Sequence, residues 1–427
     1  MVIQLSEVFP QIRTIRYLGS KRKLVDRICR TISDGVDTGS TILDMFAGTN
    51  SISYGLSRSF RVFSNDVQAF SYIIARTLLL NSDRVSASDA KMDLEQTYRT
   101  NYETLAKLYR NLLTKEKILL NQPLEKFKEY ATFCSSFPQA VNTKNSFAQI
   151  DDSTNRMSQF IKASFPFDLF TTYFSNAYFG LEQCLQIDSL RYAIDMLPTQ
   201  KRHRRDLYLC ALIYSIDSCV ASPGHFAQFF TSHSKESFGN IIKERRKSII
   251  MTFYALVDYF RKNLSKPSFK HEAWCTDYVN LFNPSSEFYS KMKEVDLIYA
   301  DPPYTADHYS RFYHVLETLV KYDYPSKELK GRYRIDRFAS KFSMKSKAYA
   351  EFEKLLSAVS LHGCKLLISY NNDGLVSSEQ LIDLSNRYFD RVSYDKIEYN
   401  HSNQGRKTFE CQKRTNPRKE YLVCCEN

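Results

Sequence analysis

The residues best suited to chemistry are Asp301-Pro302-Pro303-Tyr304, which directly follow the apolar run 295–300. In doubly wound sheets, ligands bind beyond the carboxyl ends of the strands. The prolines remove backbone donors, so the Asp301 carboxylate and the Pro302 carbonyl can both accept hydrogen bonds. Acceptors on both hydrogens of a planar aromatic amine would support the charge that develops when the nitrogen attacks, and Tyr304 offers a flat face for stacking a base. A strand-ending turn with a core tyrosine fits the same four residues.

A second motif, Asp44-Met45-Phe46-Ala47-Gly48, follows the predicted strand 41–44 and precedes a helical pattern. Small residues let the backbone approach a ligand, and a helix N-terminus favours anionic groups. Another predicted strand then ends in Asn65-Asp66. An acidic residue about twenty positions beyond such a loop suits the hydroxyls of a ribose. The alternative is a tight strand–helix turn in which Asp66 caps the helix.

A third motif, Tyr17-Leu18-Gly19-Ser20-Lys21, places an aromatic residue, a glycine turn and a lysine together before a predicted helix. Lys21 could hold the carboxylate of a cofactor, and Tyr17 could pack beside it. The alternative interpretation is an ordinary basic helix start.

The elements that must position these motifs alternate between strand and helix. Short apolar runs, typical of strands buried on both faces, lie at 41–44, 61–66, 295–300, 365–369, 392–399 and 421–424. Helical patterns separate them, for example at 68–80 and 349–361. This order predicts an α/β fold with a doubly wound, mostly parallel sheet.

The alternation breaks in the middle of the chain, where the pattern is mostly helical. We therefore predict a core formed by 1–81 and 271–427, interrupted by a helical insert at 82–270. Within the insert, helices are predicted at 89–113, 178–196, 205–219 and 241–263, and a polar loop is predicted at 134–158.

Composition narrows the class of partner. Lys and Arg total 59 against 47 Asp and Glu, a net charge of +12, which favours a polyanion such as nucleic acid. The ten cysteines form no C-x-x-C pair, so a reducing, cytoplasmic compartment and no zinc site are expected. Neither a signal peptide nor a membrane-spanning helix is predicted.

Taken in order, the three motifs resemble the Dam-type class of adenine-specific DNA methyltransferases. That class has an aromatic-x-Gly-Ser-Lys element, a Phe-Ala-Gly loop, Asn-Asp, a target-recognition insert and then Asp-Pro-Pro-Tyr. Near the C-terminus, Gln404-Gly405-Arg406-Lys407 and Glu420-Tyr421-Leu422 are similar to the hairpin of the class. Most members have Gly where this chain has Asn50, but Asn tolerates the left-handed conformation that the turn requires.

The resemblance implies a Rossmann-like methyltransferase core and a role for each motif. Asp301, Pro302, Pro303 and Tyr304 would be catalytic. S-adenosylmethionine would be bound by Asp44, Phe46, Ala47, Gly48 and Asp66, closed in by Tyr17 and Lys21, with Asp277 at its adenine. No metal is needed for this transfer, and the insert would recognise the DNA target.

The expected activity is methylation of the N6 amine of adenine in double-stranded DNA, by base flipping and direct in-line transfer. An RNA or N4-cytosine methyltransferase and a catalytically silent DNA-binding protein are the alternatives. Restriction–modification, phage defence or an orphan methylase would be the setting, with a restriction or defence nuclease as a further partner. Basic clusters at 201–205 and 243–247 are candidates for DNA contacts, and Tyr309 could line the pocket for the flipped base.

Overall fold

The structure, a computed structural model, describes residues 9–137, 165–323, 330–372, 374–399 and 418–427. The chain divides into two compact units. The first unit, which we call the catalytic unit after the role that the sequence predicts for it, consists of Met1–Ser82, Ser265–Ser310 and Phe338–Asn427. The second, the helical unit, consists of Asp83–Leu264 and Arg311–Arg337. Gln404 to Lys407 and most of the polar stretch 134–158 lie outside the described residues.

A seven-stranded sheet in the order β3-β2-β1-β4-β5-β7-β6 forms the centre of the catalytic unit. Its strands are β1 (Thr41–Asp44), β2 (Arg61–Asn65), β3 (Glu272–Trp274), β4 (Leu297–Ala300), β5 (Lys365–Asn371), β6 (Arg391–Tyr399) and β7 (Arg418–Glu426). Strands β1 to β5 are parallel, whereas β7 runs antiparallel to both β5 and β6. The mostly parallel α/β fold is therefore confirmed, and the short strand β3 adds to the predicted set.

Successive side chains of a strand point to opposite faces of the sheet, and here the side chains on both faces are apolar and buried. Ile42 and Leu297 contribute to one apolar cluster, while their chain neighbours Leu43 and Ile298 contribute to the other. The first cluster includes side chains of helices Val25–Gly35 and Ser51–Leu56. The second includes side chains of helices Ala348–His362 and Ser378–Ser385. The sheet is thus covered on both sides, as a doubly wound fold requires.

The remaining helices of the catalytic unit are short. They are the α-helices Ala69–Ala75, Tyr278–Leu281 and Tyr289–Met292, the π-helix Arg76–Leu80, and the 3-10 helices Lys21–Lys23 and Lys341–Ser343. The helix Tyr309–Phe312 begins in this unit.

The helical unit contains the α-helices Ala87–Leu108, Arg110–Leu120, Phe127–Ser135, Leu169–Tyr173, Leu181–Asp195, Arg205–Cys219, Lys235–Arg245, Ile249–Asn263 and His314–Lys321. Its 3-10 helices are Leu124–Lys126, Thr199–Arg204 and Lys330–Arg332. The predicted helix 205–219 has the observed bounds, but the predicted helix 241–263 is two helices. The break occurs because Ser248 caps a new helix, its side chain accepting a hydrogen bond from the amide of Met251.

The start of two other helices also differs from prediction, for local reasons. Ser86 and Asp89 form a capping box, so the first long helix begins at Ala87. Asn176 adopts a left-handed conformation (φ 58°), so the chain turns there and the next helix begins only at Leu181.

The segment Arg311–Arg337 folds with the helical unit, although the predicted boundaries assigned it to the core. The imidazole of His314 lies 2.9 Å from the carbonyl of Phe226, and Arg191 donates to the carbonyl of Leu319 at 3.0 Å. These bonds join residues far apart in the sequence, which local patterns do not indicate. Within the described ranges, no helix combines the length and apolar character needed to cross a membrane.

Candidate active site

The predicted site residues lie at one edge of the sheet. Asp44 ends β1, and Asp66, Asp277 and Asp301 follow β2, β3 and β4. Because these strands are parallel, their carboxyl ends meet at the same edge. One cavity there is lined by Tyr17, Lys21, Asp44, Phe46, Ala47, Gly48, Asp66, Asp277, Asp301 and Pro303. Pro302 and Tyr304 are buried and are not among its lining residues.

The loop after β1 has the left-handed turn that the sequence predicts at Asn50, with φ 60°. The buried Asn50 amide donates to the carbonyl of Ser71 at 3.0 Å and accepts from the hydroxyl of Ser64 at 2.6 Å. These bonds fix the loop against β2. The exchange of Gly for Asn therefore preserves the turn.

Gly48 keeps the loop close to Tyr17. Its φ is 50°, and a Cβ atom added there would lie 3.2 Å from Cε1 of Tyr17. Gly19, with φ 71°, leaves similar room for Tyr309, whose hydroxyl would lie 2.8 Å from an added Cβ. The rings of Tyr17 and Tyr309 are 5.6 Å apart, and both line the cavity. The two glycines thus allow two aromatic rings to form one wall of the site.

The carboxylates of Asp66 and Asp44, which both line the cavity, differ in their hydrogen bonds. Both oxygens of Asp66 accept backbone hydrogen bonds, from Gly48 and from Gln68, each at 2.9 Å. Asp44 accepts from Ser53 through Oδ2, while its buried Oδ1 has no hydrogen-bond partner among the described residues. Burial, together with the nearby carboxylates Asp301 and Asp66, raises the pKa of Asp44 to about 7.

Asp301 is held by Lys21, which is buried. The Lys21 ammonium lies 3.0 Å from Oδ1 of Asp301 and 2.7 Å from Oε1 of Glu420. Burial and the charge of Glu420 raise the pKa of Asp301 to about 7, with Lys21 acting in the opposite direction. The sequence predicts that Lys21 holds a cofactor carboxylate, but its ammonium pairs with two carboxylates of the protein itself.

Tyr304, the last residue of the Asp-Pro-Pro-Tyr motif, packs into the core of the catalytic unit. Its ring centroid lies 5.2 Å from the Lys21 ammonium, and its ring meets that of Tyr370 nearly edge-on at 5.8 Å. The Tyr304 carbonyl accepts a hydrogen bond from the amide of Leu375 at 2.8 Å. These contacts fix the ring that the sequence predicts as a stacking face.

Asp277 lies at the start of a short helix and at the wall of the cavity. It caps the helix Tyr278–Leu281 by accepting from the amide of Val279 at 3.2 Å, and it also lines the cavity. Beside it, Phe46 of the predicted loop packs with two aromatic residues that the motifs did not indicate. The rings of Phe46, Tyr278 and Phe342 lie 5.6–5.7 Å from one another. Phe342 comes from a distant segment with no motif, so only the fold brings it here.

The two basic clusters of the helical unit are largely engaged within that unit. Arg204 pairs with Asp93 at 2.8 Å, and Arg205 pairs with Asp195 at 3.1 Å. Arg245 is buried and donates to the side chain of Asn176 and the carbonyl of Ala177. The prediction that these arginines face DNA is therefore corrected for Arg245. Across the described ranges, His, Cys, Asp and Glu side chains form no group of three suited to a metal ion.

The fold and the site together define a class. A doubly wound sheet with a Phe-Ala-Gly loop after β1 and an Asp-Pro-Pro-Tyr turn after β4 is typical of methyltransferases with a Rossmann-like core. Residues 17–369 match the family described as D12 class N6 adenine-specific DNA methyltransferase. The chain belongs to this family.

Several modification methylases are similar over most of this chain. Modification methylase LlaI of Lactococcus lactis subsp. lactis is 26% identical over 380 residues, which is 88% of this chain and 49% of that protein. Modification methylase StsI of Streptococcus sanguinis is 22% identical over 380 residues, 87% of this chain and 46% of that protein. Type II methyltransferase M.CviAII of Paramecium bursaria Chlorella virus 1 is 24% identical, covering 88% of both. The chain spans about half the length of the first two relatives.

Proposed function

We propose that this chain transfers a methyl group from S-adenosylmethionine to the N6 amine of adenine in double-stranded DNA. The observation that carries the proposal is that Asp301 and the Phe46-Ala47-Gly48 loop line one cavity. An acceptor for an aromatic amine and a loop suited to a nucleotide cofactor therefore face the same space. Family membership specifies the N6 position of adenine.

The cavity fits the proposed cofactor in three respects. Gly48 lets the Tyr17 ring pack against the loop, the buried Oδ1 of Asp44 has no hydrogen-bond partner among the described residues, and aromatic rings form the walls. Asp44, Asp66 and Asp277 would bind polar groups of the cofactor, and Tyr17 and Phe46 would pack against its apolar parts. When bound, S-adenosylmethionine supplies an electrophilic methyl group.

The chain's own residues orient the amine and manage its proton. Lys21 contacts Oδ1 of Asp301, and Oδ2 has no hydrogen-bond partner among the described residues. Oδ2 would therefore accept a hydrogen bond from the adenine amine, and the Pro302 carbonyl would accept the second. A pKa of about 7 suits Asp301 to take the proton that the nitrogen loses on methylation. The base would first leave the duplex, because its amine is inaccessible inside the stack.

A transfer assay with three substrates tests this proposal. Purified protein and a tritiated methyl donor would be incubated with duplex DNA, duplex RNA or transfer RNA, and the products digested to nucleosides. We expect label in duplex DNA, recovered as N6-methyladenine. Label in RNA, or recovery as N4-methylcytosine, would favour those alternatives, and no label in any substrate would favour a silent DNA-binding protein.

We further propose that the helical unit recognises the target, with Arg311 and Arg337 contacting the DNA. Their guanidinium groups lie 6.0 and 5.6 Å from the centroid of the Tyr333 ring. Neither has an acidic partner within the described ranges, unlike Arg204 and Arg205. Unpaired arginines beside an aromatic ring suit phosphate contacts or stacking on a base.

Salt-dependent binding tests this surface. The Arg311→Ala/Arg337→Ala variant should bind duplex DNA more weakly, and the slope of log affinity against log salt should shrink by about 0.9 per lost phosphate contact. Arg99→Ala is the matched control, since Arg99 pairs with Glu95 on an exposed helix face of the same unit. Equal slopes for the wild type, the double variant and Arg99→Ala would show that Arg311 and Arg337 do not contact the phosphates.

A further inference from the structure

Glu420 is a buried carboxylate that none of the predicted site roles includes. It lies on β7, opposite Asn371 of β5, and its side chain is fully buried. It accepts hydrogen bonds from the hydroxyl of Ser369 at 2.6 Å and from the amide of Asn371 at 3.4 Å. An ionised group in such a position is costly unless it is paired, and its ionic partner is Lys21.

Lys21 connects Glu420 to the catalytic turn. Its ammonium contacts two carboxylates, Glu420 at 2.7 Å and Asp301 at 3.0 Å, and its side chain is 5% exposed. A lysine side chain has several rotatable bonds and little intrinsic preference for one position. Glu420 restricts that freedom, because it holds the ammonium by a second ion pair in addition to Asp301.

The two carboxylates respond differently to the same ammonium. Although burial opposes ionisation, Lys21 and the donors Ser369 and Asn371 hold the pKa of Glu420 below its usual value. Burial raises the pKa of Asp301 to about 7, and the charge of Glu420 adds to this rise. Glu420 therefore remains ionised near neutral pH, while Asp301 is the group that can exchange a proton.

We propose that Glu420 is a positioning residue for methyl transfer. It holds the Lys21 ammonium against Oδ1 of Asp301 and so orients Oδ2 toward the target amine. This role rests on the proposed function, because it acts only through Asp301. The charged and titratable groups around Asp301 and Lys21 come from four parts of the chain: Lys21 precedes the first α-helix, Glu420 lies on β7, Asp44 ends β1, and Tyr299 and Tyr304 lie on β4 and in the turn after it.

The test removes the charge of Glu420 while it keeps the size of the side chain. Glu420→Gln is compared with Glu426→Gln, the same change at the last residue of the same strand, which pairs with Lys365 and Arg391. For each protein we would measure kcat and KM for duplex DNA, the pH dependence of kcat at saturating cofactor, and the melting temperature.

We expect Glu420→Gln to lower kcat at least tenfold while KM for DNA stays within threefold. The acidic limb of its kcat profile should move to lower pH, because losing the neighbouring negative charge favours ionisation of Asp301. Glu426→Gln should match the wild type in both respects. Glu420→Asp, which keeps the charge on a shorter side chain, should keep the limb near its wild-type position even where kcat falls.

Each other outcome overturns the role. A Glu420→Gln enzyme with wild-type kcat and an unmoved limb would show that Glu420 does not act on Asp301. A lower melting temperature with an unmoved limb would assign Glu420 to stability alone. If Glu420→Gln does not fold, Glu420→Asp still tests the proposal. A displaced acidic limb in Glu420→Asp, which keeps the negative charge, would contradict the charge-based account. If the wild-type protein is inactive, both the proposed function and this role are contradicted. If the wild-type protein is active, the variants test the role of Glu420 alone.

Discussion

The catalytic and helical units both bury carboxylates, but they satisfy them differently. Asp188 in the helical unit accepts hydrogen bonds from the amides of Phe170 and Thr171, from the Thr171 hydroxyl and from Tyr322. Burial raises its pKa to about 7, the value also reached by Asp44 and Asp301 in the catalytic unit. Asp44 nevertheless keeps a buried oxygen that has no hydrogen-bond partner in the part of the chain that the structure describes. A raised pKa alone therefore does not mark an active site, whereas incomplete hydrogen bonding beside a cavity does.

The same contrast holds for the basic residues. Lys21 in the catalytic unit contacts Asp301, a group that lines the cavity. Arg245 in the helical unit contacts Asn176, Ala177 and Tyr130, which belong to the packing of that unit. Buried charge thus lies beside the candidate site in one unit and within the packing of the helices in the other.

The largest effect on stability should come from Arg245. Replacing this buried side chain with Met leaves the buried carboxylate of Glu116 without a nearby positive charge, and should lower the free energy of unfolding by about 3–5 kcal/mol. Lys243→Ala, an exposed change on the same helix, should alter it by less than about 0.5 kcal/mol. Urea denaturation measures both. Equal stability of the two variants would contradict the claim that Arg245 stabilises the packing of the helical unit.

The next largest effect should be on cofactor affinity, through Asp66 and the loop after β1. Asp66→Ala removes the acceptor for the amides of Gly48 and Gln68 and the proposed contact to the cofactor. We expect S-adenosylmethionine affinity to fall by about 1.5–3 kcal/mol in isothermal titration. Asp383→Ala, an exposed change in the same unit, is the control. Unchanged affinity in Asp66→Ala would restrict Asp66 to capping the loop.

A smaller, graded effect is expected from pH. Asp301 must be ionised to accept a hydrogen bond from the amine, and its pKa is raised to about 7. The value of kcat at saturating cofactor should therefore be level above pH 7 and fall about tenfold per pH unit below it. Asp188→Asn in the helical unit should leave this limb in place. A wild-type limb near the ordinary pKa of an aspartate, about 4, would contradict the account of Asp301.

The catalytic unit could be predicted well because its motifs lie where regular elements end. Strands β1, β2 and β4 are short apolar runs, and the residues after them must face the carboxyl edge of the sheet. The same logic does not indicate Phe342 or the position of Glu420 beside Lys21, since each reaches the site through packing with segments far away in the sequence.

The helical unit was harder to predict for a related physical reason. A run of arginines has the same local pattern whether it faces solvent, DNA or an internal acid. Arg204 finds its partner in Asp93 and Arg205 finds its partner in Asp195, and only the packed helices bring these pairs together. Cap residues such as Ser248 did carry a local signal for the helix breaks.

The most direct test of the central claim, that Asp301 carries methylation of adenine in DNA, is sequencing with methylation detection. A host lacking adenine methylation would express the wild-type chain or Asp301→Asn, which preserves the size of the side chain. The account predicts N6-methyladenine at one recurring sequence with the wild type, and none above background with Asp301→Asn, although isothermal titration shows cofactor affinity within threefold. Equal methylation by the two proteins, or modification of cytosine instead of adenine, would contradict it.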